Sequence, residues 1–424
     1  MFTNTNSKYP LSFHRHKKEI LVVVLIATVI ITNIGFYTYI KFDPMIPSDY
    51  PKIYIKCEEE LNNDDYANCT FELISKNEKH DVPEIKSKIK VRGVYNARQP
   101  KKGYRIELSN RISLLGMRKD DDWQLFAMFL DLSNMRIKLS FDMWRSLENL
   151  NPTAILPDSE FVCLYINGEF LGIYLLAEKN DRRLYELDRA QDNINSSLIF
   201  QSDSHGTNFL EYSPGSWEQD WPNEDEDIYI LDEIMIKLTY FIRYSSNQEF
   251  FDPNSGVFSL FNKENLMDFF LFNFFILHKD FWSQNYFIIR DTYPAYFCLI
   301  PWDFDSSFGQ YMNRKYDADE NPESEILTRN YLYNRLLQNE EFKSDLKSRW
   351  KQLRNILWTE EFIMDLATEV YEEVNLVLKI DSKLWYPLIF ENEWEEKVDD
   401  AINYLFDWIP ERIMFCDIYF ENLS

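Results

Sequence analysis

Apolar and polar positions alternate with period two in short runs of the first third of the chain: Ile53-Tyr54-Ile55, then residues 69–74, 89–94 and 104–108. Such alternation turns one face of each run towards a core and predicts antiparallel strands joined by polar turns. Over residues 128–150 the period lengthens, with Met135, Leu139, Met143 and Leu147 on one face of a predicted helix. Strands return over residues 160–178, where Asn167-Gly168 between two apolar runs is a strong hairpin signal. Residues 181–260 are polar, acidic and irregular with helical patches. Residues 264–277 and much of 327–420 read as helical, with Trp350, Leu353 and Leu357 near the helical period. No internal repeat is evident.

Residues 20–40 carry no charged side chain. This run is long enough to cross a bilayer as a helix and longer than the apolar region of a cleavable leader. Lys8, Arg15, Lys17 and Lys18 precede it and only Lys41 follows closely. The excess of basic residues on the first side predicts a signal anchor: residues 1–19 a cytoplasmic tail, 20–40 transmembrane, and the remainder extracytoplasmic. A removed signal sequence is the alternative, but Thr38-Tyr39-Ile40 offers no small-residue cleavage site. Residues 41–51, with Pro44, Pro47 and Pro51, read as a short stalk.

Hydrophobic residues make up 45% of the chain and aromatic ones 17%, which predicts a large core built on Phe, Tyr and Trp and excludes disorder for most of the chain. The net charge of −25 argues against nucleic acid as a partner. Clusters such as Glu224-Asp225-Glu226-Asp227 read as solvated loops, with long-range attraction of a basic substrate as the second reading. None of the five cysteines has zinc-site spacing. Cys57 and Cys69 are placed to close a hairpin, whereas Cys163 and Cys298 lie in strand-like runs and read as buried thiols.

The chemistry concentrates in His278-Lys279-Asp280-Phe281-Trp282-Ser283-Gln284-Asn285 and in Trp302-Asp303-Phe304-Asp305. Between them, residues 286–290 and 296–300 form two aromatic and β-branched runs around the turn-like Asp291-Thr292-Tyr293-Pro294. H-x-D-x-x-x-x-N followed by D-F is the order in which protein kinases place a catalytic aspartate, a metal-binding asparagine and a metal-binding aspartate. A hairpin would set Asn285 beside Asp303. Phosphoryl transfer needs those residue types, since a carboxylate must orient the acceptor hydroxyl and oxygen ligands must hold a divalent cation. The structural alternative is that Asp280 and Asn285 cap a helix and Asp303 begins a turn.

Further blocks occur in a telling order: Lys90-Val91-Arg92-Gly93, Arg98-Gln99-Pro100-Lys101-Lys102-Gly103-Tyr104-Arg105-Ile106, and Leu115-Gly116-Met117 with Trp123. Asp131-Leu132-Ser133-Asn134-Met135-Arg136-Ile137-Lys138-Leu139, Tyr165-Ile166-Asn167-Gly168-Glu169-Phe170-Leu171-Gly172-Ile173-Tyr174, Glu178-Lys179 and Ile300-Pro301-Trp302-Asp303-Phe304-Asp305 follow. Together they resemble the CotH kinase family over about residues 50 to 310; Val94-Tyr95-Asn96-Ala97 departs from the family's usual Asn-Ser-Ser or Asn-Ser-Thr stretch. The family includes spore-coat kinases and fungal cell-surface invasins.

The resemblance implies an α+β, atypical protein kinase-like fold of two lobes, set behind the one transmembrane helix read from residues 20–40. Residues 52–180 would form an antiparallel-sheet N-lobe, and residues 181–424 a mainly helical C-lobe with the catalytic segment at 278–309. It implies transfer of the ATP γ-phosphate, with Mg²⁺ or Mn²⁺, to serine or threonine of a protein substrate, a basic Ser/Lys-rich one fitting the acidic chain. Asp280 matches the catalytic aspartate, Asp303 the metal-binding one, and Asn285 the second metal position. Lys102 is the candidate phosphate contact, on a face expected to be shared with Tyr104 and Ile106. Arg92 and Arg105 are alternative phosphate clamps, and Glu178 is placed to approach adenine. Arg136 and Asp142 are candidates for orienting Lys102. An adhesin or scaffold with a silent kinase-like fold is the alternative function, and a metal-dependent hydrolase or glycan transferase using Asp303 and Asp305 a weaker one.

Overall fold

The period-two runs become β1 (Lys52–Cys57), β2 (Ala67–Ile74), β3 (Val82–Val91), β4 (Tyr104–Ser113) and β5 (Lys119–Phe126). The Asn-Gly hairpin becomes β6 (Ser159–Ile166) and β7 (Glu169–Glu178). These strands, in the computed structural model of the chain, close into a barrel of order β1-β2-β3-β4-β5-β7-β6. The structure describes residues 46–48, 50–93, 96–279, 282–311, 314–390 and 393–423. Closure comes from a parallel pairing of β1 with β6, Ile53 opposite Leu164 and Ile55 opposite Ile166. With β1 paired on both sides, no edge remains for another chain to extend. Ile53, Ile55, Phe71, Ile106, Trp123 and Leu176 fill the interior.

Period two turns the alternate residues of β6 and β7 outward, and these too are apolar. Phe161, Cys163, Phe170, Ile173, Leu175 and Ala177 belong to a second core shared with the helices. The longer helices are α1 (Arg136–Arg145), α2 (Leu231–Tyr244), α3 (Lys263–Phe275), α4 (Glu340–Ile356), α5 (Glu360–Trp385) and α6 (Trp394–Glu421). Helix α5 packs on both β7 and α1. α3 is apolar on nearly every side and runs through the centre of this core, where its buried acid, Asp268, is held by Arg349 through both carboxylate oxygens at 2.7 Å. A second sheet has the order β11-β10-β8-β9, from β8 (Leu198–Ser202), β9 (Trp217–Trp221), β10 (Tyr286–Arg290) and β11 (Cys298–Pro301). Two of these strands, β8 and β9, come from the region expected to be irregular.

Two expectations are corrected here. The two-lobed, kinase-like arrangement of an antiparallel-sheet N-lobe and a mainly helical C-lobe gives way to a closed seven-stranded barrel with mixed α/β content, and residues 46–424 cluster as one compact unit. Barrel closure needs a parallel contact between segments more than 100 positions apart, which local periodicity does not encode. The single-pass membrane placement is also withdrawn, because no helix among the described residues is long and apolar enough to cross a membrane. Residues 20–40, on which it rested, lie outside the described residues. All five cysteines carry free, buried thiols, including Cys57 and Cys69, which face each other across β1 and β2.

A buried ion pair fastens the barrel to α5. Lys101, 1% exposed, donates from Nζ to Asp381 Oδ1 at 2.7 Å and to the Ile173 carbonyl at 2.6 Å. Asp381 also accepts from the Ile173 amide at 2.8 Å. Gly172 makes room for it: a Cβ there would stand 1.9 Å from Asp381 Oδ1. Removing one partner strands a desolvated charge, so Asp381→Ala is expected to cost about 3–5 kcal/mol, and Lys101→Met with Asp381→Leu much less. Urea unfolding of the three proteins checks this; equal stability of Asp381→Ala and wild type would contradict it.

Candidate active site

The expected hairpin is present, with Tyr286 opposite Pro301 and Ile289 opposite Cys298. It brings Asn285 and Asp303 to one end of the second sheet, where the Trp302 amide donates to the Asn285 carbonyl at 2.9 Å. Both residues have left-handed backbones, φ 63° at Asn285 and 65° at Asp303. Such conformations persist only where surroundings over-determine them, and they concentrate at functional sites. Below Asp303 lies an aromatic floor: Trp302 stacks on Phe141 at 5.6 Å, and Phe304 meets the same ring edge-on at 5.8 Å.

The two motif segments are tied together through the backbone. His278 is buried, and its Nε2 donates to the Asp303 carbonyl at 2.9 Å. Burial pushes its pKa down to about 3, so this is the neutral imidazole. The Lys279 amide donates to the Ser306 carbonyl at 3.2 Å, and its ammonium pairs with Glu325 at 2.8 Å. Asp280 lies outside the described residues.

Asn285 and Asp303 open into a cleft of about 1000 Å³ whose opposite wall is formed by β3, β4 and β5. Arg92 and Arg105 line that wall, as do Lys90 and Gln124. The Arg92 guanidinium lies over the Phe126 ring, 3.9 Å from its centroid. Gly103 leaves space for it, since a Cβ there would stand 3.0 Å from Arg92 Cγ and 2.9 Å from the Leu125 carbonyl. Burial and the like charge of Arg105 lower the Arg92 pKa to about 10, opposed by Asp303 and Asp305. Conversely, burial raises the Asp303 pKa and Arg92 holds it back. Lys90 and Arg105 are direct cross-strand partners, an arrangement of like charges that costs energy unless an anion lies near.

The other expected site residues stand elsewhere. Tyr104 and Ile106 point into the barrel, so the cleft face of β4 carries Arg105, while Lys102 is exposed outside the cleft. Glu178 is 4% exposed and accepts from the Arg118 amide at 2.8 Å and the Asp158 amide at 3.1 Å. Arg136 is fully buried, pairs with Asp131 and donates to the Ser307 carbonyl at 3.0 Å. It thereby braces the chain just after Asp303-Phe304-Asp305 rather than meeting Lys102. Asp142 pairs with Lys138 at 2.6 Å within α1.

Reasoning from sequence missed Lys90, Lys179, Asn180 and the acids Asp203, Glu218 and Asp220, all of which line the cleft. Lys90 and Lys179 stand inside quoted blocks but were given no role, and β9 gave too short a pattern to place its acids. Burial and Glu218 raise the Asp220 pKa to about 7, opposed by Arg105 and Lys179. Asp120, Asp122 and Asp181 also approach one another closely enough to suit a metal. Arg183 pairs with all three, at 2.7, 3.1 and 2.7 Å, and Arg118 and Lys179 supply the further positive charges that balance them. The Asp303 carboxylate and the Asn285 amide oxygen are instead hard donors beside a group of cations, a set that fits a divalent ion held with nucleotide phosphates.

The chain is 26% identical over 293 residues to the inner spore coat protein H of Bacillus subtilis, a span covering 66% of this chain and 74% of that protein. The model of the CotH kinase protein family matches residues 89–416, which takes in the barrel from late β3 onward, the cleft and most of α6. On that match the chain belongs to the CotH kinase protein family.

Proposed function

We propose that this chain is an ATP-dependent protein serine kinase acting on a basic protein, and that it does so in a spore coat, the setting named in its relative's description as an inner spore coat protein. The observation that carries the reading is the meeting of two sets of groups in one cleft. Asn285 and Asp303 supply oxygen ligands on one wall, and Lys90, Arg92 and Arg105 supply positive charge on the other. Asp203, Glu218 and Asp220 give the same cleft an acidic side that suits lysine or arginine near the acceptor serine.

In this mechanism Asp303 and Asn285 would hold Mg²⁺ or Mn²⁺, which when bound would supply charge neutralisation to the nucleotide phosphates. Lys90, Arg92 and Arg105 bind phosphate oxygens and draw off charge as the transferring group loosens. Asp280 orients the serine hydroxyl and takes its proton. The serine oxygen forms its bond to the γ-phosphorus as the bond to the bridging oxygen breaks, and ADP leaves with that electron pair. His278 keeps the Asp303 backbone in its left-handed turn, and Arg136 braces the turn from behind.

Incubation of the purified chain with γ-labelled ATP, Mg²⁺ or Mn²⁺ and a Ser/Lys-rich acceptor tests the reading. Asp280→Ala and Asp303→Ala are each expected to lower transfer at least about 10²–10³-fold with folding intact. Arg105→Ala is expected to raise the KM for ATP about tenfold or more, through loss of a charge-assisted contact. Transfer that survives Asp303→Ala would overturn the assigned metal site, and a folded wild type with neither transfer nor metal-dependent nucleotide binding would favour an adhesin or scaffold instead.

His278 also gives the fold an acid limit. The folded chain keeps this ring neutral down to about pH 3, whereas the unfolded chain protonates it near pH 6.5. The unfolded state therefore binds the extra proton in between, and stability falls as pH drops from about 6.5 towards 3. Urea unfolding at several pH values should show a shallower acid limb for His278→Asn than for wild type. An identical pH slope for the two would contradict the buried neutral ring.

A further inference from the structure

Beyond β7 the chain turns into the cleft, and most of its polar groups there are already matched. Lys179 pairs with Asp122 at 3.3 Å, and Asp181 with Arg183 at 2.7 Å. Asn180, between them, lines the cleft and is 7% exposed. Its Oδ1 accepts from the buried Tyr185 hydroxyl at 3.1 Å. That phenol has no other acceptor among the described residues, which fixes the amide orientation. Nδ2 then faces away from Tyr185 and meets no acceptor among the described residues. A buried N–H₂ without an acceptor is costly unless a ligand supplies one.

The chemistry of that ligand follows from the neighbours. Asn180 is a neutral donor, unlike the arginines and lysine that face phosphate. Two residues on, the Arg182 guanidinium lies over the Trp221 ring at 5.3 Å, and Trp221 lines the same cleft. Planar groups beside a neutral donor suit a heteroaromatic ring with an acceptor nitrogen. We propose that Asn180 reads the nucleobase, its Nδ2 donating to a ring nitrogen of adenine. This rests on the ATP reading of the cleft and moves base recognition from Glu178, whose carboxylate is bound by the Arg118 and Asp158 amides, to the residue two positions later.

Calorimetric titration of wild type, Asn180→Ala and Asn180→Asp with Mg·ATP and with magnesium tripolyphosphate tests it. Asn180→Asp keeps the acceptor for Tyr185 and exchanges the donor for an acceptor, so it reports even if the alanine variant folds poorly. Both variants are expected to weaken ATP about tenfold, with tripolyphosphate binding preserved within about twofold in the alanine variant. One of 1-deaza-, 3-deaza- or 7-deaza-ATP should bind wild type about as weakly as ATP binds Asn180→Ala, and should lose nothing further in that variant. Unchanged ATP affinity, or equal loss for ATP and tripolyphosphate, would overturn the base-reading role alone. A folded wild type that binds neither ligand would overturn the ATP reading beneath it.

Discussion

The site depends on how one aspartate is held. Asp303 adopts a backbone conformation that a non-glycine residue enters only at a cost, in surroundings that disfavour its charge. Two contacts compensate. The neutral His278 ring fastens its carbonyl from below, and the Arg92 guanidinium supplies opposite charge from across the cleft. One comes from the central helical core and the other from the barrel. The acid therefore sits where it does only while both parts of the fold are in place.

That dependence gives a purpose to features that look purely structural. The barrel wall must present Arg92 at a fixed height, and the Phe126 ring together with the absence of a side chain at Gly103 sets that height. The barrel must in turn be fixed to the helices, which the Lys101–Asp381 pair achieves at a point where Gly172 admits the carboxylate. Arg136 adds a third brace by binding both Asp131 and the Ser307 carbonyl. Residues 311–424, in which the sequence shows no assignable motif, thus take part through Asp381.

Much of this was legible from residue order. Period two gave most of the barrel strands, and the hairpin between the motifs has the topology that sets Asn285 beside Asp303. What was not legible depended on distance or on parity. Barrel closure is a parallel pairing between β1 and β6, and nothing local in Ile53-Tyr54-Ile55 announces a second partner. At β4 the alternation was right but its faces were exchanged: Tyr104 and Ile106 fill the barrel, so Arg105 faces the cleft and Lys102 does not. Glu178 failed to reach the cleft because backbone amides of Arg118 and Asp158 capture its carboxylate, a contact no spacing rule encodes.

The central claim is that Asp303 and Asn285 form a metal site facing the cations of the barrel wall. Electron paramagnetic resonance of Mn²⁺, titrated into the chain with a non-hydrolysable ATP analogue, addresses it directly by counting bound ions. The account predicts nucleotide-dependent Mn²⁺ binding by wild type that Asp303→Asn abolishes and Arg105→Ala weakens. Mn²⁺ bound equally by wild type and Asp303→Asn would contradict it.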